Sequence, residues 1–220
     1  MNKVIAEATI AKVLGRWAPH ARHDLVGAWT PMSMDLAVLA AKNAKTGVTS
    51  EDLSTFIARM KDSLKHVSLE SDNVALMVGQ DRKATVQVGE AVRDIAQKLR
   101  PRYGAVEYVL SDPPDKLGEE IRYDLYMALL AALMALEDRR GTSVKLILRA
   151  ERDGAGRLTI YITSQPMPNG ENAWAQALNA AYPQRRIDFV DVDCLASYLG
   201  FRFIMNPDGG ELRRLEPGER

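Results

Sequence analysis

The sequence predicts an α+β protein: an antiparallel helical hairpin that pairs into a dimeric four-helix bundle, followed by an α/β sandwich. Three observations carry this. Apolar residues recur every three or four positions through most of the first 80 residues, with a turn signal in the middle. Beyond residue 80, short β-type runs alternate with helical ones. A composition of 46% hydrophobic and 26% charged residues supplies enough apolar surface for a packed core. The expected division is a hairpin over 1–80 and an α/β domain over 81–220.

The first helix spans about residues 4–44, with Leu25, Ala28, Trp29, Met32, Leu36 and Leu39 as its apolar stripe. Pro31 inside it removes the bond to the carbonyl of Gly27 and predicts a kink there. "KTGVTSED" breaks the chain: Gly47 stops one helix, and Ser50 with Glu51 and Asp52 starts the next with acids in its first turn. The second stripe is Leu53, Phe56, Ile57, Met60, Leu64 and Val67, running on toward Gly79. His66 is expected to be partly buried, and the methionines of "PMSMDL" to lie in the bundle core. One hairpin cannot bury stripes of this length on both helices, so a second copy is expected to complete the bundle.

In the second region "TVQV" reads as a strand, "EAVRDIAQKLR" as a helix, "AVEYVL" as a strand and "DPPDK" as a loop. "EEIRYDLYMALLAALMALEDRR" (119–140) is apolar on much of its circumference and belongs in a core. "SVKLILRAE" and "RLTIYIT" flank "RDGAG" as a β-hairpin, and the stretch to residue 186 reads as a loop with one short helix. "VDVDCLASYLG" is a helix ending at Gly200, and "FRFIM" with "ELRRLEP" across "NPDGG" is a last hairpin.

Several function classes are disfavoured at the outset. Lys plus Arg and Asp plus Glu each total 29, so no net field draws the chain to nucleic acid or an anionic membrane. The single cysteine, Cys194, excludes an internal disulfide and a multi-thiolate zinc site, and is expected to be a small core residue. No run of about 18 apolar residues occurs, and the first residues lack a signal-peptide pattern, so a cytoplasmic protein is expected.

A helical hairpin with "HDL" (His23, Asp24, Leu25) on its first helix, then strand, helix, strand, helix, hairpin, variable segment, helix and hairpin, resembles the transmitter module of bacterial sensor histidine kinases over nearly the whole chain. The resemblance implies a dimerising hairpin with His23 as phosphoacceptor, and an ATP-binding domain of the Bergerat type. "IAQKLRPRYGAVEYVLSD" resembles that domain's first helix and second strand. "RYDLYMALLAALMALEDR" resembles the helix that holds its nucleotide-binding asparagine.

The departures all concern nucleotide. The helix has no asparagine, and the equivalent positions fall among Leu130, Met134 and Ala135. Ser164, Gln165 and Pro166 stand where an Asp-x-Gly-x-Gly segment is expected, "RDGAGR" reads as a turn rather than that motif, and the lid glycines before the last helix are missing. The resemblance therefore narrows to ChpT-type histidine phosphotransferases and the sporulation-type phosphotransferase of similar design, which keep the kinase architecture without binding ATP. No cofactor or metal is expected in the chain.

A neutral imidazole can attack a phosphoryl group, and a neighbouring carboxylate can orient it and stabilise the developing charge, which gives His23 and Asp24 their candidate roles. Phosphoryl transfer is mainly positioning and electrostatics, so the magnesium and acidic cluster can come with a partner, a response-regulator receiver domain or a hybrid histidine kinase. Arg16, Arg22, Gly27 and Thr30 are the expected docking residues around His23, with Arg22 a clamp for phosphate. His20 shares a face with His23 but lacks an adjacent acid, and is a flank. An isolated His-Asp pair is ordinarily a solvated surface feature; the surrounding architecture makes this one a candidate. The competing reading is a degenerate transmitter that binds regulators or kinases as an adaptor or inhibitor without carrying phosphate.

Overall fold

The computed structural model describes residues 2–80, 82–103, 106–110, 116–140, 144–153, 156–166, 186–207, 209–216 and 218. The fold is mixed α and β, in two compact units: Arg16–Gln80, and Asp81–Arg220 together with Met1–Gly15. The chain passes from one unit to the other at Gln80–Asp81. The first fifteen residues cluster with the α/β unit, because Ala6, Thr9 and Val13 form a fully buried face there.

The hairpin unit takes most of helix α1 (Asn2–Lys45) and all of helix α2 (Ser50–Met77). Helix α1 stays helical through Pro19 and Pro31. Thr49, not Ser50, caps α2: its extended backbone (φ −87°, ψ 164°) lets its hydroxyl accept from the Asp52 N–H, while the Asp52 carboxylate accepts from the Thr49 N–H at 3.0 Å. Gly47, at φ +81°, supplies the left-handed residue the turn needs. Lys42 donates to Asp52 Oδ1 at 2.6 Å and Arg59 Nη1 to Asp35 Oδ1 at 3.0 Å, tying the antiparallel helices together at two levels.

In the α/β unit, strand β1 (Thr85–Gln87) is followed by helix α3 (Val88–Tyr103), strand β2 (Val106–Leu110), strand β3 (Glu119–Ile121) and helix α4 (Arg122–Arg140). Strands β4 (Val144–Arg152) and β5 (Leu158–Pro166), helix α5 (Phe189–Tyr198) and strands β6 (Phe201–Asn206) and β7 (Gly209–Arg214) complete it. The main sheet has the order β2-β4-β5-β7-β6, with β2 parallel to β4 and every other pair antiparallel.

Register gives the sheet one apolar and one polar face. Ala150, Ile160, Leu212 and Phe203 line up across four strands and are buried. Arg149, Tyr161 and Glu211 line up on the alternate face, where Arg149 pairs with Glu151 and Arg213 with Glu211, each at 2.5 Å. Helix α4 is buried almost throughout, from Leu125 to Leu136, and is the centre of the core, as its composition predicted.

Several sequence expectations are corrected. Residues 119–121 are a strand paired with β1, not the first turn of the long helix, because pairing with Thr85–Gln87 overrides what acidic residues suggest locally. His66 is exposed, and Cys194 is half-buried rather than core. In "PMSMDL", Met32 is buried but Met34 faces outward. The loop and short helix expected between residues 167 and 185 lie outside the described residues, as does most of "DPPDK".

Candidate functional site

The site is built on α1, and helical geometry sorts its residues into three stripes. Ala21, Leu25, Ala28, Met32, Asp35 and Leu39, three and four apart, are buried or half-buried and form the side toward α2, as the Asp35–Arg59 pair requires. Arg16, His23, Gly27 and Thr30 fall on the opposite side, also at spacings that stack on one helix face. Between them runs a stripe headed by Arg22 and continued by Val26, Trp29 and Ser33.

His23 is exposed, on the side of α1 turned away from its hairpin partner. Arg22, Gly27 and Thr30 are exposed as well, whereas Arg16 is half-buried. The Thr30 hydroxyl donates to the Val26 carbonyl at 2.8 Å, an intrahelical bond that leaves its oxygen able to accept from outside. No atom outside its own helix neighbourhood lies within 4 Å of where a Cβ on Gly27 would sit, so the backbone there is open to an approaching surface. The side chains of Asp24 and His20 lie outside the described residues, and with them the orienting role expected of Asp24.

Below His23 a shallow depression opens on α1, lined by Leu25, Val26, Trp29, Thr30, Ser33, Met34 and Ala37. Spacing alone puts Trp29 and Leu36 on one stripe with Leu25 and Met32, and the structure separates them. Trp29 is 51% and Leu36 58% exposed. Helix α2 behaves the same way: Phe56, Met60 and Val67 turn inward, while Leu53, Ile57 and Leu64 are exposed. Each helix therefore carries a second apolar stripe, about 90° round from the one facing its partner. Because the helices are antiparallel, both second stripes fall on the same side of the hairpin.

Leu130, Met134 and Ala135 are all buried, so no polar group from those positions is presented to a phosphate. "RDGAGR" turns from β4 to β5, with the Gly156 N–H bonded to the Asp153 carbonyl at 2.8 Å, the Asp153 N–H to the Arg157 carbonyl at 3.0 Å, and Gly156 at φ +79°. The part of the turn at residues 154–155 and the side chains of Ser164, Gln165 and Pro166 lie outside the described residues. Asp138, near the end of α4, is engaged structurally: its carboxylate accepts from the buried Ile187 N–H at 2.8 Å. Tyr126 donates its hydroxyl to Asp94, and burial first, then that bond, pushes its pKa up. Among the described residues no group of three or more His, Cys, Asp and Glu could hold a metal ion, and no helix is long and apolar enough to cross a membrane.

No protein-family model and no curated protein matches the sequence. Among solved structures, the chain is similar to the Acinetobacter baumannii histidine kinase AdeS, at 12% identity and a TM-score of 0.41 over 88% of this chain and 97% of that one. It is similar to a histidine kinase from Burkholderia phymatum STM815, at 15% identity and a TM-score of 0.36 over 89% and 96%. It is also similar to full-length ShkA, crystallised in complex with AMPPNP, at 17% identity and a TM-score of 0.38, where it spans 90% of this chain but only 44% of that one.

Proposed function

We propose that the protein is a histidine phosphotransferase of a two-component phosphorelay: a cytoplasmic homodimer in which His23 carries a phosphoryl group between response-regulator receiver domains, without binding ATP. The observation that carries the reading is the placement of His23, exposed on the outward side of α1 and one turn from an open glycine. A nucleophile that must meet a protein-bound phosphate needs that accessibility.

In the proposed step a ring nitrogen of His23 attacks the phosphorus of an aspartyl phosphate on the receiver. The P–N bond forms as the acyl P–O bond breaks, the receiver's carboxylate leaves with the electron pair, and the ring's surplus proton passes to solvent. Transfer to a second receiver is the reverse. Asp24 orients the imidazole, and Arg22, one residue away and exposed, offers a guanidinium to the phosphoryl oxygens. Arg16, Gly27 and Thr30 share the face of His23 and meet the incoming domain. The apolar stripes of Trp29 and Leu36 and of Leu53, Ile57 and Leu64, on one side of the hairpin, support its pairing with a second copy into a four-helix bundle.

The test is transfer from receiver domains charged with radiolabelled acetyl phosphate to the full chain. Wild type and His20→Ala take the label and His23→Ala does not, while labelled ATP with magnesium labels none of them. Equal labelling of His23→Ala, or no labelling of wild type, ends the proposal. Receiver binding by wild type without any labelling favours the adaptor reading instead.

A further inference from the structure

Helix α1 is continuous, yet its two ends belong to different units, and the change occurs at Gly15–Arg16. Residues 2–15 are fastened to α5. Ala6, Thr9 and Val13 are fully buried along one face, and Lys12 Nζ lies 2.5 Å from Asp191 Oδ2. The Thr9 hydroxyl bonds the Ile5 carbonyl at 2.8 Å and sits 3.4 Å from the other Asp191 oxygen. Asp191 is held in place by the α5 capping box, where it accepts from the Asp188 N–H at 3.1 Å and donates its own N–H to the Asp188 carboxylate at 2.9 Å. The lysine therefore meets a carboxylate already fixed in position.

Where it leaves this anchorage the helix carries a glycine four residues before a proline, a pairing that recurs at Gly27 and Pro31. Pro19 carries no N–H and so donates no bond within α1, while glycine, as at Gly15, has the largest conformational freedom of any residue. The chain crosses between the units a second time at Gln80–Asp81, after Gly79 at φ +77°. Continuing the register set by Asp35–Arg59 and Lys42–Asp52 brings Arg16 level with Val78, so both crossings lie at the same end of the hairpin, each beside a glycine.

We propose that residues 2–15 are a latch and Gly15–Pro19 a hinge. The arm stays on α5 through Lys12 and Asp191 while α1 pivots about one turn before His23, and loss of the ion pair releases the arm without unfolding either unit. Hydrogen-exchange mass spectrometry on the full chain tests this, and its readout is the same whether or not His23 carries phosphate.

In wild type, residues 3–15 are protected together with α5, and residues 16–20 exchange faster than the helix on either side. Lys12→Ala speeds exchange of 3–15 by about tenfold or more and leaves α4, α5 and residues 24–45 unchanged. Lys12→Arg keeps the protection, and Pro19→Ala slows exchange at 16–20. Unchanged exchange of 3–15 in Lys12→Ala overturns the latch. So does faster exchange of the whole α/β unit, which makes the arm an integral part of its core. Protection of 16–20 equal to the flanking helix in wild type overturns the hinge.

Discussion

Arg59 on α2 reaches across the hairpin to Asp35 on α1, Nη1 to Oδ1 at 3.0 Å. An exposed pair of this kind contributes little stability, but it marks which sides of the helices face each other. With Asp35 turned inward, Trp29 and Leu36 turn to the side of the hairpin where Leu53, Ile57 and Leu64 also emerge. Substituting charge there, as in Leu36→Lys with Ile57→Lys, is expected to convert the proposed dimer to a monomer in sedimentation velocity while far-ultraviolet circular dichroism stays helical. A wild type that sediments as a monomer at all concentrations would show that the face serves something other than a second copy.

The far end of the hairpin is set by charge. Asp52 is held at about 2, below its usual 3.8, first by the Lys42 ammonium and then by the backbone and hydroxyl of Thr49. A carboxylate depressed in the folded state stabilises it above the unfolded pKa, and that contribution is lost as pH falls from about 4 through about 2. Thr49→Ala removes the hydroxyl cap and is expected to cost about 1 kcal/mol at neutral pH. Urea titrations of wild type and Asp52→Asn across pH 2 to 6 should show a stability gap that is constant above about pH 4 and closes on acidification. A gap independent of pH would mean that Asp52 acts through shape and not charge.

Asp138 holds the entry to α5. Its carboxylate accepts from the buried Ile187 N–H, so Asp138→Ala strands a backbone donor and is expected to destabilise the α/β unit by about 1–3 kcal/mol. Asp138→Asn keeps an acceptor and should recover most of the loss. Equal denaturation midpoints for Asp138→Ala and wild type would show that the bond is replaced by water.

How much of this was legible in the sequence depended on how local the deciding interaction was. The hairpin turn, the β4–β5 turn at "RDGAGR" and the helix end at Gly200 are written in glycines that must take positive φ, and they fell where expected. Strand β3 was missed because "EEI" becomes a strand only through its partner 32 to 36 residues earlier, where the Glu119 carboxylate accepts from both Thr85 and Gln87. The hairpin stripes were found but merged: Trp29 sits next to Ala28 in sequence, and a spacing of three or four admits both until a partner helix chooses one. The attachment of residues 2–15 to α5 was invisible, since Lys12 and Asp191 are 179 residues apart and nothing local couples them.

Gly27 separates a role in docking from a role in folding. It lies inside α1, where glycine costs about 1 kcal/mol relative to alanine, and a Cβ added there meets nothing within 4 Å. Gly27→Ala is therefore expected to stabilise the hairpin by about that amount in thermal or urea denaturation. Helical spacing puts the new methyl one turn beyond His23 on the same face, where an incoming receiver would have to approach the backbone closely. The variant should then fold better and accept phosphate more slowly, with His23 itself intact. Improved stability with unchanged transfer would remove Gly27 from the docking surface. Impaired transfer with lowered stability would instead mean that the glycine relieves strain in α1.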